Sequence, residues 1–366
     1  MMRVVIAPDS FKGSATAPDA ARAIAQGWRS VRPHDELRLV PMADGGEGTL
    51  DAFEVAVPGA RRIAVTVAGP IGTPVPSSWL LLPATDAAPR GTGVVELACT
   101  SGITLLDELA PFAAHTLGFG QAILDALDHD VSAVLLAIGG SASTDGGAGV
   151  LVALGARLTD AAGHPVPLGN AGLAHLEHVD LSRMRPVPPG GARILSDVTN
   201  PLLGDNGAAA VFGPQKGATR ADVPALEHGL RRLARFLPAD PDAPGAGAAG
   251  GTGFGLLGWG AEMAPGSAAV GLALGLPDAI ATADLVITGE GRYDSQSAAG
   301  KVPGHVAALA AASGTEAALV AGGIQASTEH FTAARSLVDL AGALDAALAE
   351  PLRWLSAAGA ELAAAL

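Results

Sequence analysis

Apolar residues near the start of the chain form a short unbroken run and then recur at helical spacing. The run Arg3–Ala7 (RVVIA) is typical of a strand buried in a parallel sheet. Apolar positions over Ala17–Ser30 follow the helical period, and Thr16 is the predicted N-cap. The same order returns with a strand at Glu36–Pro41 and a helix that begins at Thr49. The pattern predicts two successive strand–loop–helix units.

The middle of the chain has a different pattern. Short β-like runs alternate with Gly and Pro up to about residue 97, and no long helix separates them, which predicts hairpins or a meander. Further on, a helix precedes an apolar strand, and a later amphipathic helix carries its arginines on one side. The predicted elements of this stretch are the strands Ile63–Val67, Trp79–Leu82, Val94–Leu97, Ala133–Ile138 and Arg193–Leu195, and helices over about Leu117–Leu127 and Asp222–Phe236.

The opening order returns near the end of the chain. A strand at Leu285–Thr288 precedes a polar loop and a helix from about Gly304, and a strand at Ala318–Ala321 precedes two glycines and more helix. Strand–loop–helix units on both sides of a mixed middle predict an α/β fold in which one domain is interrupted by another. A doubly wound sheet binds its ligand at the carboxyl ends of its strands. We therefore expect the functional residues in the loops that follow the strands.

Composition narrows the class of protein. Apolar residues make up 49% of the 366 residues and charged residues 16%, which excludes a disordered chain. The single cysteine, Cys99, excludes a disulfide scaffold and favours a reducing, cytoplasmic compartment. No apolar run approaches the roughly 20 residues that a membrane helix requires. The net charge of −14 disfavours nucleic acid as a partner.

Two loops near the start of the chain carry candidate chemistry. Asp9, Ser10 and Lys12 follow the first strand, where Lys12 suits a phosphate and Asp9 suits a metal or a hydroxyl. Asp44 and Glu47 lie among glycines after the second strand and could bind a ligand or a metal. The alternative is that both segments are ordinary turns, because Asp, Ser and Gly favour turns and acidic residues favour helix N-termini.

The segment Gly139–Gly149 is the richest of these loops. It lies between an apolar strand and a helix, a context that suits anion binding by hydroxyl and backbone N–H groups at a helix N-terminus. A flexible surface loop is the alternative. The candidate ligands are Gly139, Gly140, Ser141, Ser143, Thr144, Asp145, Gly146 and Gly147.

Polar residues also follow two later strands. Asp197 and Asn200 could share a metal or a substrate hydroxyl, and the alternative for both is a capping role in a turn. The last cluster contains carboxylates that could hold Mg²⁺ and an arginine that could grip a carboxylate with two hydrogen bonds. The alternative for this cluster is a surface ion-pair network. Its members are Glu290, Arg292, Asp294, Gln296 and Lys301.

Lysine is rare, because 19 of the 22 basic residues are arginine. Since arginine supplies the general surface charge, the lysines that remain are expected where a compact ammonium group is required. Lys12, Lys216 and Lys301 are therefore predicted to converge on a ligand that carries phosphate, with chance placement as the alternative. The spacing Gly253-x-Gly255-x-x-Gly258 is not taken as a dinucleotide site, because no strand precedes it.

Six motifs together resemble the type I glycerate kinases of bacteria, and the resemblance covers essentially the whole chain. The Gly245–Gly258 segment is also similar to that family. The motifs are APDSFKGS (Ala7–Ser14), PMADGGEGT (Pro41–Thr49), IGGSASTDGGAG (Ile138–Gly149), SDVTNPL (Ser196–Leu202), FGPQKGAT (Phe212–Thr219) and TGEGRYDSQSAAGKVP (Thr288–Pro303). The resemblance implies two α/β domains: a discontinuous Rossmann- or flavodoxin-like parallel-sheet domain (1–62 plus 284–366) and a mixed α/β domain inserted at 63–283. It also implies an active site in the cleft between them.

The resemblance further implies ATP-dependent, Mg²⁺-assisted phosphorylation of D-glycerate in the cytoplasm, with 2-phosphoglycerate favoured over 3-phosphoglycerate. A kinase for another small hydroxy acid and a nucleotide- or acid-binding sensor without turnover stay open, as does a homodimer. The hypothetical roles are catalysis by Asp197, Asp294, Lys12 and Lys301, substrate binding by Arg292, Asp9, Ser10, Asn200 and Gln296, phosphate binding by the Gly139–Gly147 loop with Lys216, and metal binding by Asp44, Glu47, Asp197 and Glu290.

Overall fold

The computed structural model describes residues 1–11, 13–298 and 301–366, without the side chains of Gln296 and Ala298. In this part of the chain the strands are β1 (Arg3–Pro8), β2 (Glu36–Leu39), β3 (Arg61–Ala68), β4 (Pro74–Leu82), β5 (Thr92–Glu96), β6 (Ala133–Ala137), β7 (Arg157–Thr159), β8 (His178–Asp180), β9 (Ala192–Leu195), β10 (Glu262–Ala264), β11 (Leu285–Tyr293), β12 (Glu316–Ile324) and β13 (Ala333–Ser336).

The helices in the same part of the chain are α1 (Ala17–Val31), α2 (Thr49–Ala56), α3 (Ala98–Ser101), α4 (Leu117–Asp128), α5 (Ala148–Ala153), α6 (Asn170–Leu173), α7 (Ala208–Phe212), α8 (Val223–Ala234), α9 (Ala248–Trp259), α10 (Gly266–Ala273), α11 (Leu276–Ala281), α12 (Ser295–Ala298), α13 (Val302–Ser313), α14 (Leu337–Ala341), α15 (Leu344–Ala349) and α16 (Pro351–Ala365). Short 3₁₀ helices span Ile103–Leu105 and Pro214–Lys216. No helix among the described residues has both the length and the apolar character that crossing a membrane requires.

The chain divides into two compact units. Unit 1 contains Met1–Asp44, Asp51–Pro58 and Pro265–Leu366, and unit 2 contains Gly45–Leu50 and Gly59–Ala264. Residues 265–283, which the sequence analysis assigned to the inserted domain, lie in unit 1. The reason is packing: Gly271 of α10 is so close to Met42 that a Cβ on this glycine would lie 3.3 Å from the methionine side chain.

Unit 1 is built on a five-stranded parallel sheet with the order β13-β12-β11-β1-β2. This is the flavodoxin-like order, in which the chain reverses its direction of strand addition between β1 and β11. Helices α1 and α16 pack on each other at glycines: a Cβ on Gly27 would lie 1.8 Å from the Ser356 carbonyl oxygen. Their apolar side chains, with Trp28 fully buried, share one core with β1, β11 and β12.

Unit 2 is built on a six-stranded mixed sheet with the order β10-β9-β6-β5-β4-β3. Strands β3, β4 and β5 form an antiparallel meander, and β5, β6, β9 and β10 run parallel. Strands β7 and β8 form a separate two-stranded sheet. The predicted fold class, a parallel-sheet domain together with a mixed α/β domain, is confirmed.

Two predicted elements differ from the structure. Strand β11 continues to Tyr293, five residues beyond its predicted end, because Arg292 and Tyr293 pair with Gly323 and Ile324 of β12. Strand β13 stands where the sequence predicted only helix, and its four residues AARS carry no alternation of apolar and polar positions. As a result, Glu290 and Arg292 lie on a strand and not in a loop.

Candidate functional site

The reversal point of the parallel sheet in unit 1 brings two predicted segments together. Pro8, the last residue of β1, pairs with Gly289 of β11, and the next backbone N–H, that of Asp9, donates to the Gly289 carbonyl at 2.8 Å. The Asp9 carboxylate accepts a hydrogen bond from the Ser10 N–H at 2.6 Å. Asp9 and Glu290 are both buried. The first and last motifs of the chain therefore meet at one edge of this sheet.

A cavity of about 670 Å³ opens at this edge, and all of its described lining residues belong to unit 1. It collects predicted residues from the start, the second loop and the last cluster of the sequence. They are Asp9, Ser10, Asp44, Glu290, Arg292, Asp294 and Lys301. The Lys301 residue precedes α13 at its N-cap position.

The Arg292 side chain is exposed, whereas the Asp294 side chain is held by a hydrogen bond. The Arg292 side chain is 67% exposed and its Nε lies 3.8 Å from an Asp294 carboxylate oxygen, so the guanidinium can turn toward a ligand. Asp294 is held by the first turn of α12, where its carboxylate accepts the Ser297 N–H at 3.3 Å. The buried Ser297 hydroxyl donates to the Arg292 carbonyl at 3.3 Å. Ser297 thus fixes the backbone between the arginine and the aspartate.

Tyr293 and Glu290 lie on the same strand beside the cavity. Burial raises the pKa of the Tyr293 hydroxyl, and the negative charge of Glu290 raises it further. The Tyr293 ring packs edge-on against Phe331 with centroids 5.8 Å apart. Tyr293 is therefore a neutral core residue, and the members of the predicted cluster that line the cavity are Glu290, Arg292, Asp294 and Lys301.

The cavity has carboxylates that could share a divalent cation with a substrate. Among the described residues, no three His, Cys, Asp or Glu side chains gather closely enough to hold a metal by themselves. The described lining nevertheless contains five carboxylates, from Asp9, Asp44, Glu290, Asp294 and Asp339, against two cations. Mg²⁺ in phosphotransferases is commonly bound by one or two carboxylates together with substrate phosphates. Asp44 and Glu290 are the carboxylates that could hold it here.

The Gly139–Gly147 loop lies in unit 2 and is organised by Asp145. The fully buried Asp145 carboxylate accepts hydrogen bonds from the backbone N–H of Thr116 at 2.9 Å, from its hydroxyl at 2.9 Å, and from the N–H groups of Gly147 and Gly149 at 3.1 Å each. The N–H groups of Gly147 and Gly149 at the N-terminus of α5, which the sequence predicted to bind an anion, therefore donate to Asp145. Its contacts are those of a structural residue.

Lys216 anchors the same loop from the 3₁₀ helix Pro214–Lys216. Its side chain is buried, and its Nζ donates to the Ser141 hydroxyl at 2.7 Å and to the Ser143 carbonyl at 2.5 Å. Burial lowers the pKa of Lys216 to about 7, although the charge of Asp145 opposes this shift. Gly250 packs against this contact in a left-handed conformation (φ 69°), and a Cβ there would lie 2.0 Å from the Ser143 carbonyl oxygen and 2.8 Å from Nζ, so the position requires glycine.

Two hydroxyls of the loop lack the partners that the rest of it has. Ser143 and Thr144 are fully buried, and within the described residues neither side-chain oxygen has a hydrogen-bond partner. Buried polar atoms are nearly always paired, so such an atom calls for a ligand, a water or a functional reason. These two oxygens are the best candidates in the loop for contact with a phosphate.

Glu47 of unit 2 lies on the loop between β2 and α2, and Asp197 and Asn200 lie on the loop that follows β9. Glu47 and Asp197 are exposed, and the Asn200 side-chain amide donates to the Asn206 carbonyl at 2.8 Å, which is a capping contact. The loop before α2 approaches β6 and β9 through glycines: a Cβ on Gly139 would lie 2.5 Å from the Gly46 Cα. These contacts bring the Gly45–Leu50 loop next to the Gly139–Gly147 loop.

Glu96 is a residue of unit 2 that the sequence analysis missed. Its buried carboxylate accepts hydrogen bonds from the N–H groups of Gly48 and Leu50 at 3.2 and 3.0 Å, and so holds the loop that contains Glu47. The signal for it was present, because Glu96 is a single charge inside the apolar run VVELA at the end of a strand.

Two predicted residues cannot be placed. Lys12 and the Gln296 side chain lie outside the described residues. Lys301 lines the cavity of unit 1 and Lys216 is buried in unit 2. The convergence of the three lysines on one ligand therefore stays a prediction.

Comparison with known proteins identifies the family. The model of the glycerate kinase family matches residues 4–366, nearly the whole chain. The chain belongs to the glycerate kinase family. A family relative named glycerate kinase, from Halalkalibacterium halodurans, is 42% identical over 362 residues, 95% of this chain and 94% of its own. One named glycerate 2-kinase, from Escherichia coli K12, is 44% identical over 318 residues, 84% of this chain and 82% of its own.

A solved structure agrees with the family assignment. It is a crystal structure of a Salmonella typhimurium LT2 protein to which the function of glycerate kinase 2 is attributed. The two folds superpose with a TM-score of 0.84 at 38% sequence identity, over 100% of this chain and 98% of the other. The family likeness therefore extends over both units of the chain.

Proposed function

We propose that this protein transfers the γ-phosphoryl group of ATP to D-glycerate and forms 2-phosphoglycerate and ADP. The observation that carries the proposal is the cavity of unit 1, which combines Arg292 and Lys301 with a set of carboxylates at the reversal point of a parallel sheet. A small anionic acceptor needs cations for binding and a carboxylate to receive its hydroxyl proton, and the cavity offers both. The relatives named glycerate kinase and glycerate 2-kinase support the choice of acceptor and product.

Arg292 is proposed to bind the glycerate carboxylate. Its guanidinium can form two parallel hydrogen bonds with a carboxylate, which a lysine cannot reproduce. The exposed position of Arg292 beside the cavity leaves this fork available. Asp9 and Ser10 are proposed to bind the hydroxyl groups of the acid, and Lys301 to offset the charge of the phosphate.

Asp294 is proposed as the group that orients the attacking hydroxyl and accepts its proton. The hydroxyl oxygen attacks the γ-phosphorus, the bond from that phosphorus to the bridging oxygen breaks, and ADP leaves. Asp294 has the better support of the two predicted bases, because it lies in the cavity beside Arg292 and is held in position by Ser297. Asp197 stays a prediction.

Mg²⁺ is proposed to bind with the nucleotide. It would neutralise phosphate charge during transfer, and Asp44 and Glu290 are the carboxylates of the cavity that would hold it. Glu47 stays a prediction for the metal. In unit 2, Ser143 and Thr144 are proposed to contact a nucleotide phosphate. The single cysteine supports a reducing compartment, and we expect the reaction to run in the cytoplasm.

The test is a phosphoryl-transfer assay with D-glycerate, ATP and Mg²⁺, in which phosphorus and proton NMR identify the product. We expect phosphate on the 2-hydroxyl. Arg292→Lys is expected to raise the KM for D-glycerate about tenfold or more, because one hydrogen bond to a charged group is lost. Arg220→Lys, at an exposed arginine outside the cavity lining, is the matched control.

Four outcomes would each contradict a part of the proposal. Phosphate on the 3-hydroxyl would overturn the product assignment. Faster transfer to another small hydroxy acid would overturn the substrate assignment. Binding of ATP and D-glycerate without release of ADP would indicate a sensor and not a kinase. If Asp294→Asn kept full turnover, Asp294 would not be the base.

A further inference from the structure

The cavity of unit 1 is larger than its proposed acid substrate requires. Glycerate has about seven non-hydrogen atoms and, at roughly 30 Å³ for each water-sized group, occupies about 200 Å³. The cavity has a volume of about 670 Å³, which lies in the range of sites that bury a drug-sized ligand. About two thirds of the cavity is therefore left for another molecule.

The remaining part of the cavity has an apolar lining, which we call the apolar lobe. It is formed by the end of β12, by α14 and by α15, and these elements pack on one another. The side chains of the apolar lobe are Ile324, Leu337, Val338, Leu344, Ala347 and Leu348. The glycerate-binding residues proposed above lie on other elements, so the cavity has two parts of different chemistry.

Two leucines of the apolar lobe are left uncovered by the protein. Leu344 is 58% exposed and Leu348 is 53% exposed, although both line the cavity. They are four residues apart on α15 and so lie on one face of that helix. Next to the lobe, Gly323 has no side chain, and a Cβ built on it would enter open space. The lobe therefore presents exposed apolar side chains beside open space.

Polar side chains that could form hydrogen bonds with the edge of a heterocyclic ring also line the cavity near the apolar lobe. Gln325 carries both a donor and an acceptor on its amide, and Asp339 carries acceptors, and both line the same cavity. The cavity also lies at the point where a parallel sheet reverses its strand order, the position at which doubly wound folds bind nucleotides. The volume of the cavity, its apolar surface and its position in the sheet all favour a nucleotide as the second ligand.

The geometry points to the apolar lobe as the binding site for the nucleoside part of the ATP used in the proposed reaction, with the purine ring against Leu344 and Leu348. This inference rests on the proposed function, and it assigns only the nucleoside part of ATP, not its phosphates, to a place outside the Gly139–Gly147 loop. The nucleoside is covered by α15, and the polar part of the cavity holds the acid.

The test replaces the exposed leucines by aspartate and measures nucleotide binding directly. Titration calorimetry with ADP and Mg²⁺ is carried out on Leu344→Asp and Leu348→Asp, which add charge to the lobe at positions that are more than half exposed. Leu352→Asp is the matched control, because Leu352 is a similarly exposed leucine, 46% exposed, outside the cavity lining. Gly323→Val is a second variant, which fills the open space without a contact within 4 Å of the new Cβ.

We expect the Kd for ADP to rise about tenfold or more in the three lobe variants, with the KM for D-glycerate unchanged and Leu352→Asp unaffected. If the lobe variants bind ADP as tightly as the original protein, the inference is wrong even when phosphoglycerate is formed. If they change only the choice among hydroxy acids, the lobe is part of the acid site. Absence of phosphoglycerate with the original protein would instead contradict the proposed function.

Discussion

Single residues of the Gly139–Gly147 loop have contacts that their identities do not predict. From the sequence, Asp145 and the serines beside it are equivalent candidates for binding a ligand. In the structure the Asp145 carboxylate pairs with Thr116, Gly147 and Gly149, whereas the Ser143 and Thr144 hydroxyls pair with none of the described residues. A carboxylate and a hydroxyl are both common N-cap groups, so only the surrounding backbone decides which of them is used.

This difference predicts opposite effects of substitution at neighbouring residues. Ser143→Ala and Thr144→Val remove buried hydroxyls that form no hydrogen bond with any described residue, so the free energy of unfolding is expected to stay within about 0.5 kcal/mol of the original or to rise. If these hydroxyls contact a nucleotide phosphate, the KM for ATP rises about tenfold, the usual value for one hydrogen bond to a charged group. Urea unfolding and steady-state kinetics measure the two quantities.

Asp145→Asn is the internal comparison for these two variants. It weakens a buried carboxylate with several donors, and a loss of roughly 2–4 kcal/mol in the free energy of unfolding is expected. A Ser143→Ala protein that loses comparable stability, with an unchanged KM for ATP, would show that this hydroxyl is a structural group and that the loop is a scaffold.

At the scale of whole elements, the sequence predicts where a strand lies in the chain better than it predicts where that strand ends. The bounds of β1, β6 and β9 agree with the predicted runs within about one residue, because most of their apolar residues are buried. Strand β11 is longer than predicted, because its polar end is paired by Gly323 and Ile324 from a distant part of the chain. Strand β13 has no apolar period of its own. Pairing between distant strands, which no local pattern records, thus decides where Glu290 and Arg292 lie.

The contact of Lys216 with the Gly139–Gly147 loop joins two elements that are distant in sequence, and it predicts a pH dependence. The pKa of Lys216 is about 7 in the folded protein, below its ordinary value of 10.5, because the side chain is buried. Between these two values the unfolded chain binds the proton and the folded chain does not. The free energy of unfolding therefore rises with pH from about 7 toward 10.5, by at most about 1.4 kcal/mol per pH unit for one proton.

Lys216→Met removes this contribution and provides the measurement. Urea unfolding at several pH values between 6.5 and 9 is expected to show that the original protein gains stability relative to Lys216→Met as the pH rises. Arg220→Met, which removes an exposed cation close to Lys216 in the sequence, is expected to give a profile parallel to that of the original protein. A parallel profile for Lys216→Met would mean that this lysine keeps its proton in the folded state.

At the scale of the whole molecule, the charge opposes the proposed substrates. The chain carries a net charge of −14, and D-glycerate and ATP are both anions. The described lining of the cavity in unit 1 also has more carboxylates than cations. Long-range repulsion is screened by salt, whose Debye length falls from about 30 Å at 0.01 M to about 8 Å at 0.15 M. Contacts such as that of Arg292 with a bound carboxylate act over much shorter distances.

Because salt screens the long-range repulsion but not the short-range contacts in the site, we expect added salt to accelerate the reaction at low ionic strength. Between about 0.01 and 0.15 M potassium chloride, at constant free Mg²⁺, kcat/KM for D-glycerate is expected to rise a few-fold, because repulsion during encounter is screened. The kcat is expected to change less, since it reports the bound complex. Steady-state kinetics at several potassium chloride concentrations in this range measure kcat/KM and kcat. The buffer concentration is kept constant, so that only the added salt changes the ionic strength. A fall in kcat/KM would show instead that the field of Arg292 and Lys301 near the cavity outweighs the net charge and attracts the acid.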